Sequence, residues 1–127
     1  VVSGRTISEG GAYSVDSLAA REVVLRDADG IERGRMSTDD QGRAMLSLSD
    51  RDGRQRIRMT VLADGSPGVT INDTDSRPRA VLGYLPDGTT NLVFTDPAGE
   101  IRTLVGVGPD GEPSRSMFDR ESEDEGA

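Results

Sequence analysis

One period governs the chain. Written in blocks of 23 from Val23 it reads VVLRDADGIERGRMSTDDQGRAM, LSLSDRDGRQRIRMTVLADGSPG, VTINDTDSRPRAVLGYLPDGTTN and LVFTDPAGEIRTLVGVGPDGEPS, and a partial fifth copy begins at Arg115. The register runs without gaps. The fifth position is Asp27, Asp50, Asp73, Asp96 and Asp119; the eighth is Gly30, Gly53, Ser76 and Gly99. The eleventh is Arg33, Arg56, Arg79 and Arg102, and the twentieth is Gly42, Gly65, Gly88 and Gly111. A unit this short cannot bury an apolar face alone, so its stability has to come from neighbouring units.

Within each block the apolar residues recur at a spacing of two. The third position is Leu25, Leu48, Ile71, Phe94 and Met117, the fourteenth Met36, Met59, Leu82 and Val105, and the sixteenth Thr38, Val61, Tyr84 and Val107. Short alternating runs bounded by Gly and Asp are the signature of strands, not helices. Each repeat is therefore expected to supply two strands, at positions 1–5 and about 10–16, with a turn at each end. The fold class is all-β, and the repeats occupy 23–45, 46–68, 69–91, 92–114 and, in part, 115–119.

Two arrangements suit such a unit: an antiparallel meander of hairpins, open or rolled into a barrel, and a β-solenoid. A solenoid would stack Asp27, Asp50, Asp73 and Asp96 in a ladder about 4.8 Å apart, with the four Arg in a second ladder. Like charges directly opposite one another are destabilising. A meander separates the same side chains by two strands, roughly 10 Å, and is the preferred arrangement.

Turn chemistry leaves the register of each hairpin open. Asp at the first position, Pro97 at the second in one copy and Gly at the fourth suit a type I turn closed by a left-handed Gly. That turn places Leu48 opposite Arg56. A two-residue turn on Asp52-Gly53 instead pairs Leu48 with Ile57 and Leu46 with Met59, which gathers the apolar side chains on one face. The face so assembled, Leu46, Leu48, Ile57, Met59, Ile71, Leu82, Tyr84 and Phe94, is the candidate interaction surface.

Flanking segments fall outside the period. Residues 1–22 read as an extended lead-in, with one helical turn expected over Val15 to Glu22 capped by Asp16. Residues 120–127 read as a disordered acidic tail. The chain opens on Val1-Val2-Ser3, so an upstream signal peptide or membrane anchor is expected, a boundary set for expression being the simpler alternative.

Composition narrows the chemistry. Val, Leu, Ile and Phe supply 27 of 127 residues, about 21 %, barely above the roughly 20 % at which a highly charged chain is expected to lose its fold. The core must then be small or completed by another chain. A net charge of −8 disfavours nucleic acid and anionic lipid as partners. All fifteen basic residues are Arg, and Lys, His, Cys and Trp are absent. That removes the usual general base, the thiol and amine nucleophiles and the imidazole and thiolate metal ligands. The chain is read as a non-enzyme that takes no cofactor.

Calcium is the sharpest alternative. Asp27 and Asp29, Asp50 and Asp52, and Asp73 and Asp75 are its candidate ligands, each pair standing in D-x-D. An EF-hand loop needs a third Asp or Asn before the Gly and a distal Glu, and no copy supplies them. Ser76 replaces the Gly in the third copy and Ala98 the second Asp in the fourth, drift that suits a turn better than a ligand set. Paired carboxylates on repeated turn tips lack the cleft that glycosidase chemistry requires. The Arg at position eleven is read as facing the Asp of its own hairpin instead of recognising an anion. Tyr84 and Phe94 are read as core side chains in preference to a sugar-stacking platform.

The quoted blocks resemble the tandem repeats of a loosely defined group of bacterial membrane-anchored proteins, in which units of the form apolar strand, D-x-D-G, x-x-R, apolar strand, D-G-x-P-G follow an N-terminal anchor. The resemblance covers residues 23 to about 119. It implies a non-enzymatic module at the cell envelope, extracytoplasmic or membrane-peripheral. The uncovered apolar face is in turn expected to meet other protein subunits or its own copies, with the membrane reached only through an anchor or partner. It transfers no functional residue. The second reading, an adhesin or fibre segment, would use the Asp-Gly tips for calcium or carbohydrate.

Overall fold

The computed structural model describes residues 12 and 14–119. Nine strands follow one another: β1 (Glu22–Arg26), β2 (Glu32–Thr38), β3 (Ala44–Ser49), β4 (Gln55–Val61), β5 (Pro67–Asn72), β6 (Pro78–Tyr84), β7 (Thr90–Thr95), β8 (Ile101–Val107) and β9 (Pro113–Met117). They form a single antiparallel sheet in which each strand pairs with its neighbours in sequence. The meander is thus the architecture, and the solenoid is not. Nor does the sheet close: β1 pairs with β2 and β9 with β8, and the two do not pair with each other.

Eight turns of one geometry join the strands. In the turn at Asp50 the residue-53 amide donates to the Asp50 carbonyl at 3.1 Å and the Asp50 amide donates to the Arg54 carbonyl at 2.9 Å. The other seven repeat this pair of bonds. This is the type I turn closed by a left-handed residue, and that residue is Gly in seven turns, with φ from 81° to 93°, and Ser76 at 62° in the eighth. Glycine suits the position because it carries no Cβ to collide with the backbone. The turns fall on two opposite rims. The first rim holds residues 27–31, 50–54, 73–77 and 96–100; the second holds 39–43, 62–66, 85–89 and 108–112.

Both halves of the register question are resolved at once. The turn on Asp50 is the bulged type, yet Leu48 lies opposite Ile57 and Leu46 opposite Met59. A second irregularity, between Leu48 and Ser49, absorbs the extra residue. The residue left without an opposite number is Arg56. The same shift occurs in the hairpins of β1–β2, β5–β6 and β7–β8, where Arg33, Arg79 and Arg102 are skipped. A bulge costs part of a ladder, whereas a one-residue slip would turn half of every apolar row to the other face. Of the two registers left open, the one that opposes Leu48 and Arg56 does not occur, because the apolar pairing outweighs an unbroken ladder.

The helical turn expected over residues 15–22 does not form either. Residues 14–20 run as irregular chain with a bend at Asp16, all of them exposed, and strand β1 starts at Glu22. Eight residues are too few to repay helix nucleation without a surface to pack on. The acidic tail lies outside the described residues.

Candidate interaction surface

Residues directly opposite one another in an antiparallel sheet share a face, so the registers sort the side chains. One row runs along the first rim as Leu25, Gly34, Leu48, Ile57, Ile71, Ala80, Phe94, Thr103 and Met117. The middle row is Val23, Met36, Leu46, Met59, Val69, Leu82, Leu92, Val105 and Arg115. Toward the second rim lie Thr38, Ala44, Val61, Pro67, Tyr84, Thr90, Val107 and Pro113. Within the strands these rows hold a single charged side chain, Arg115 on β9; Arg21, just before β1 and bonded through its carbonyl to the Thr38 amide at 3.3 Å, adds a second at the corner of the face, in the lining of its trough.

All eight residues singled out from the sequence, Leu46, Leu48, Ile57, Met59, Ile71, Leu82, Tyr84 and Phe94, stand on this face. That set left out Val23, Met36, Val69, Leu92 and Val105 from the middle row. The same alternation that picked Leu46 and Leu82 would have found them, since they occupy equivalent repeat positions.

Nothing in the described chain covers the face. Among the described residues no hydrophobic side chain is buried. Met59 is 46 % exposed, Ile71 49 % and Leu82 47 %, the half-burial that strand neighbours alone provide. An open trough of about 620 Å³ runs along the second-rim side, with Leu18 of the lead-in beside Met36, Leu46, Met59 and Val69 in its lining.

The opposite face is mixed. Its middle row reads Val24, Arg35, Ser47, Arg58, Thr70, Val81, Val93, Leu104 and Ser116. Among the described residues Ser47 is the one buried polar side chain, at 8 % exposure.

Every carboxylate proposed as a calcium ligand is occupied by the chain's own donors. Asp27, Asp50 and Asp73 each accept, through Oδ1, the backbone N–H groups two and four residues on, at 2.9 to 3.1 Å. Their Oδ2 atoms face Arg33 at 3.6 Å, Arg54 at 3.0 Å and Arg77 at 3.2 Å. Asp29 pairs with Arg51, Asp52 with Arg54 and Asp75 with Arg77. Burial at the turn works to raise the carboxyls of Asp27, Asp50 and Asp73, but the backbone donors and the arginines outweigh it and hold all three below the ordinary carboxylate range. Asp96 is held low in the same way, first by the Glu100 amide. Among the described residues no group of three or more acidic side chains is placed to hold a metal ion.

The skipped arginines have a structural job that spacing alone did not disclose. Arg33 Nε donates to the Ser49 carbonyl at 2.8 Å, Arg56 to Asn72 at 3.0 Å and Arg79 to Thr95 at 2.7 Å. Each also faces the turn Asp of its own hairpin, at 3.6 to 3.7 Å. Arg102 donates from Nε to Asp96 at 2.9 Å and from a terminal nitrogen to the Phe118 carbonyl at 3.2 Å. Every copy thus ties its hairpin to the next strand at the rim where those two strands have no turn between them. Tyr84 and Phe94 share the apolar face but lie at opposite rims, roughly 13 Å apart along the strands, too far to form one stacking platform. No protein-family model and no curated protein matches the chain.

Proposed function

We propose that this protein is a non-catalytic interaction module, an accessory subunit that lays its apolar sheet face on protein partners in a larger assembly at the cell envelope. The observation that carries the reading is the three-row apolar face left half-exposed across all nine strands. A contiguous exposed apolar surface of this extent marks a protein-protein or membrane contact on a folded chain, and a net charge of −8 sets the chain against an anionic lipid surface. The envelope location rests on the resemblance of the repeats to those of membrane-anchored bacterial proteins. The non-catalytic part rests on the turn carboxylates, each spent as an acceptor for its own backbone and arginines.

A photoreactive residue placed at Leu82 or Met59 should cross-link to protein in cells of the source organism, whereas one at Arg58 or Thr70 on the opposite face should not. Equal yield from both faces, or none from either, would remove the proposal. The adhesin reading has less behind it, since the Asp-Gly tips are closed on themselves and the two aromatics stand apart.

A further inference from the structure

Building on that reading, we infer that the occupant of the apolar face is a second copy of this chain, docked face to face to make a two-layered sandwich. The argument begins with area. Nine strands with eight gaps of about 4.8 Å span roughly 38 Å, and three side-chain rows along the strands span roughly 17 Å. The footprint is near 650 Å², and the accessible area of a face studded with side chains exceeds its footprint. That brings it to the roughly 800 Å² per partner of a standard stable interface.

Shape and charge then favour a copy over an unrelated protein. A helix is about 10 Å across with its side chains, so a helical partner would need about four helices side by side to cover the width. A second copy brings a sheet of the same width and the same handed twist, and such sheets pack with their strands about 30° apart. Charge depletion at the centre is typical of homodimer interfaces, and the charged side chains of this face, Arg115 on β9 and Arg21 beside β1, stand at its two ends.

Arg115 also selects the symmetry. A twofold axis running across the strands would lay β9 on its own copy and set Arg115 against Arg115. An axis through β5, inclined to it by about 15°, half the angle between packed sheets, lays β9 on the partner's β1 instead, and brings Val69 and Ile71 against their own copies. The central contact is then Ile71 on Ile71.

The chain has no cysteine, so single substitutions report cleanly. Ile71→Cys treated with a bifunctional thiol reagent of roughly 10 Å reach, the separation of packed sheets, should yield a covalent dimer. Thr70→Cys, one residue along and on the other face, should not. The unmodified protein should sediment at twice its 13.5 kDa, with hydroxyl radicals oxidising Met36 and Met59 more slowly than Met45, which lies on the opposite face. Met59→Glu with Leu82→Glu should weaken the dimer by roughly 30-fold or more. Salt should tighten it, because each copy carries −8 and salt screens that repulsion.

A monomer whose Met36 and Met59 oxidise freely would overturn self-docking and leave the face available to another partner. A monomer with both methionines protected would overturn self-docking and the interaction reading together, since the chain would then cover its own face. A dimer that cross-links through Thr70→Cys as well as through Ile71→Cys would overturn the face-to-face arrangement. The cysteine pair decides the question even if the double Glu variant fails to fold.

Discussion

The first and second rims use one backbone turn but are held in different ways. On the first, the turn begins with Asp in every copy, two backbone amides close on its carboxylate, and a skipped Arg reaches the next strand. On the second, only Asp39 begins a turn and takes two amides. Asp64, Asp87 and Asp110 stand two places later in their turns, and each accepts one amide from another residue of its turn. The side-chain hydrogen bonds that join neighbouring hairpin tips, such as Arg51 to Asp29 and Arg54 to the Thr74 carbonyl, lie at the first rim among the described residues. One rim is laced by side chains, while at the other β7 and β8 come into close backbone approach at Gly106.

Gly106 shows how close that approach is. A Cβ there would stand 2.8 Å from the Thr90 carbonyl oxygen and 3.1 Å from the Asn91 Cβ. Gly106→Ala should therefore be the most damaging of the changes considered, costing about 2 kcal/mol in chemical denaturation, in the range for overpacking. A neutral result would mean that the second rim yields more easily than its spacing suggests.

Arg56→Met tests the lacing. It leaves the Asn72 carbonyl without its Nε donor and Asp50 with one cation fewer, and should cost about 1 kcal/mol given the partial exposure of the pair. Arg58→Met, on the same strand but outside the clasp, should change the melting temperature little. Equal effects from the two would dissolve the distinction between the rims.

Ser76 provides a change in the favourable direction. It holds φ of 62° where its seven counterparts are Gly, a conformation that costs an L-residue roughly 1 kcal/mol. Ser76→Gly should raise stability by about 0.5 kcal/mol, part of the gain being cancelled by the greater freedom of Gly in the unfolded chain. A fall in melting temperature would show that Ser76 does more than close its turn.

The acid response is spread more thinly over single residues. Asp27, Asp50, Asp73 and Asp96 are held below the ordinary carboxylate range in the folded chain. Their stabilisation is present above the unfolded value, about 3.9, and is lost as pH falls through the lower folded values. Melting temperature should accordingly drop below about pH 4. Asp50→Asn should flatten that descent more than Asp64→Asn, because Asp50 serves two amides and an arginine. The smallest expected effect is that of calcium: melting with calcium and with chelator should coincide, since Asp50 and its equivalents already have their donors.

Much of this molecule can be read from the chain. Alternation such as Leu46, Leu48 and Ile57, Met59 identifies both strands of a repeat, and Gly53 and Gly65 locate the turns between them. The apolar face follows, because residues two apart point the same way. Two things were not legible. The stretch from Val15 to Glu22 has helix-compatible residues, but only a packing surface could have made them helical. The job of Arg56 was hidden as well, since an Arg at a fixed spacing looks the same whether it sits in the ladder or is skipped by it.

The period, the strand-turn alternation and the left-handed position in each turn follow from the chain alone, because these depend on sterics and side-chain parity within a few residues. The folded sheet set the rest. It settled that a bulge at each Arg reconciles the turn with the apolar register, and that the nine strands stay open as one layer. Both depend on energies shared between strands: the pairing of whole apolar rows outweighs one skipped residue, and closure would require the two edge strands, β1 and β9, to meet.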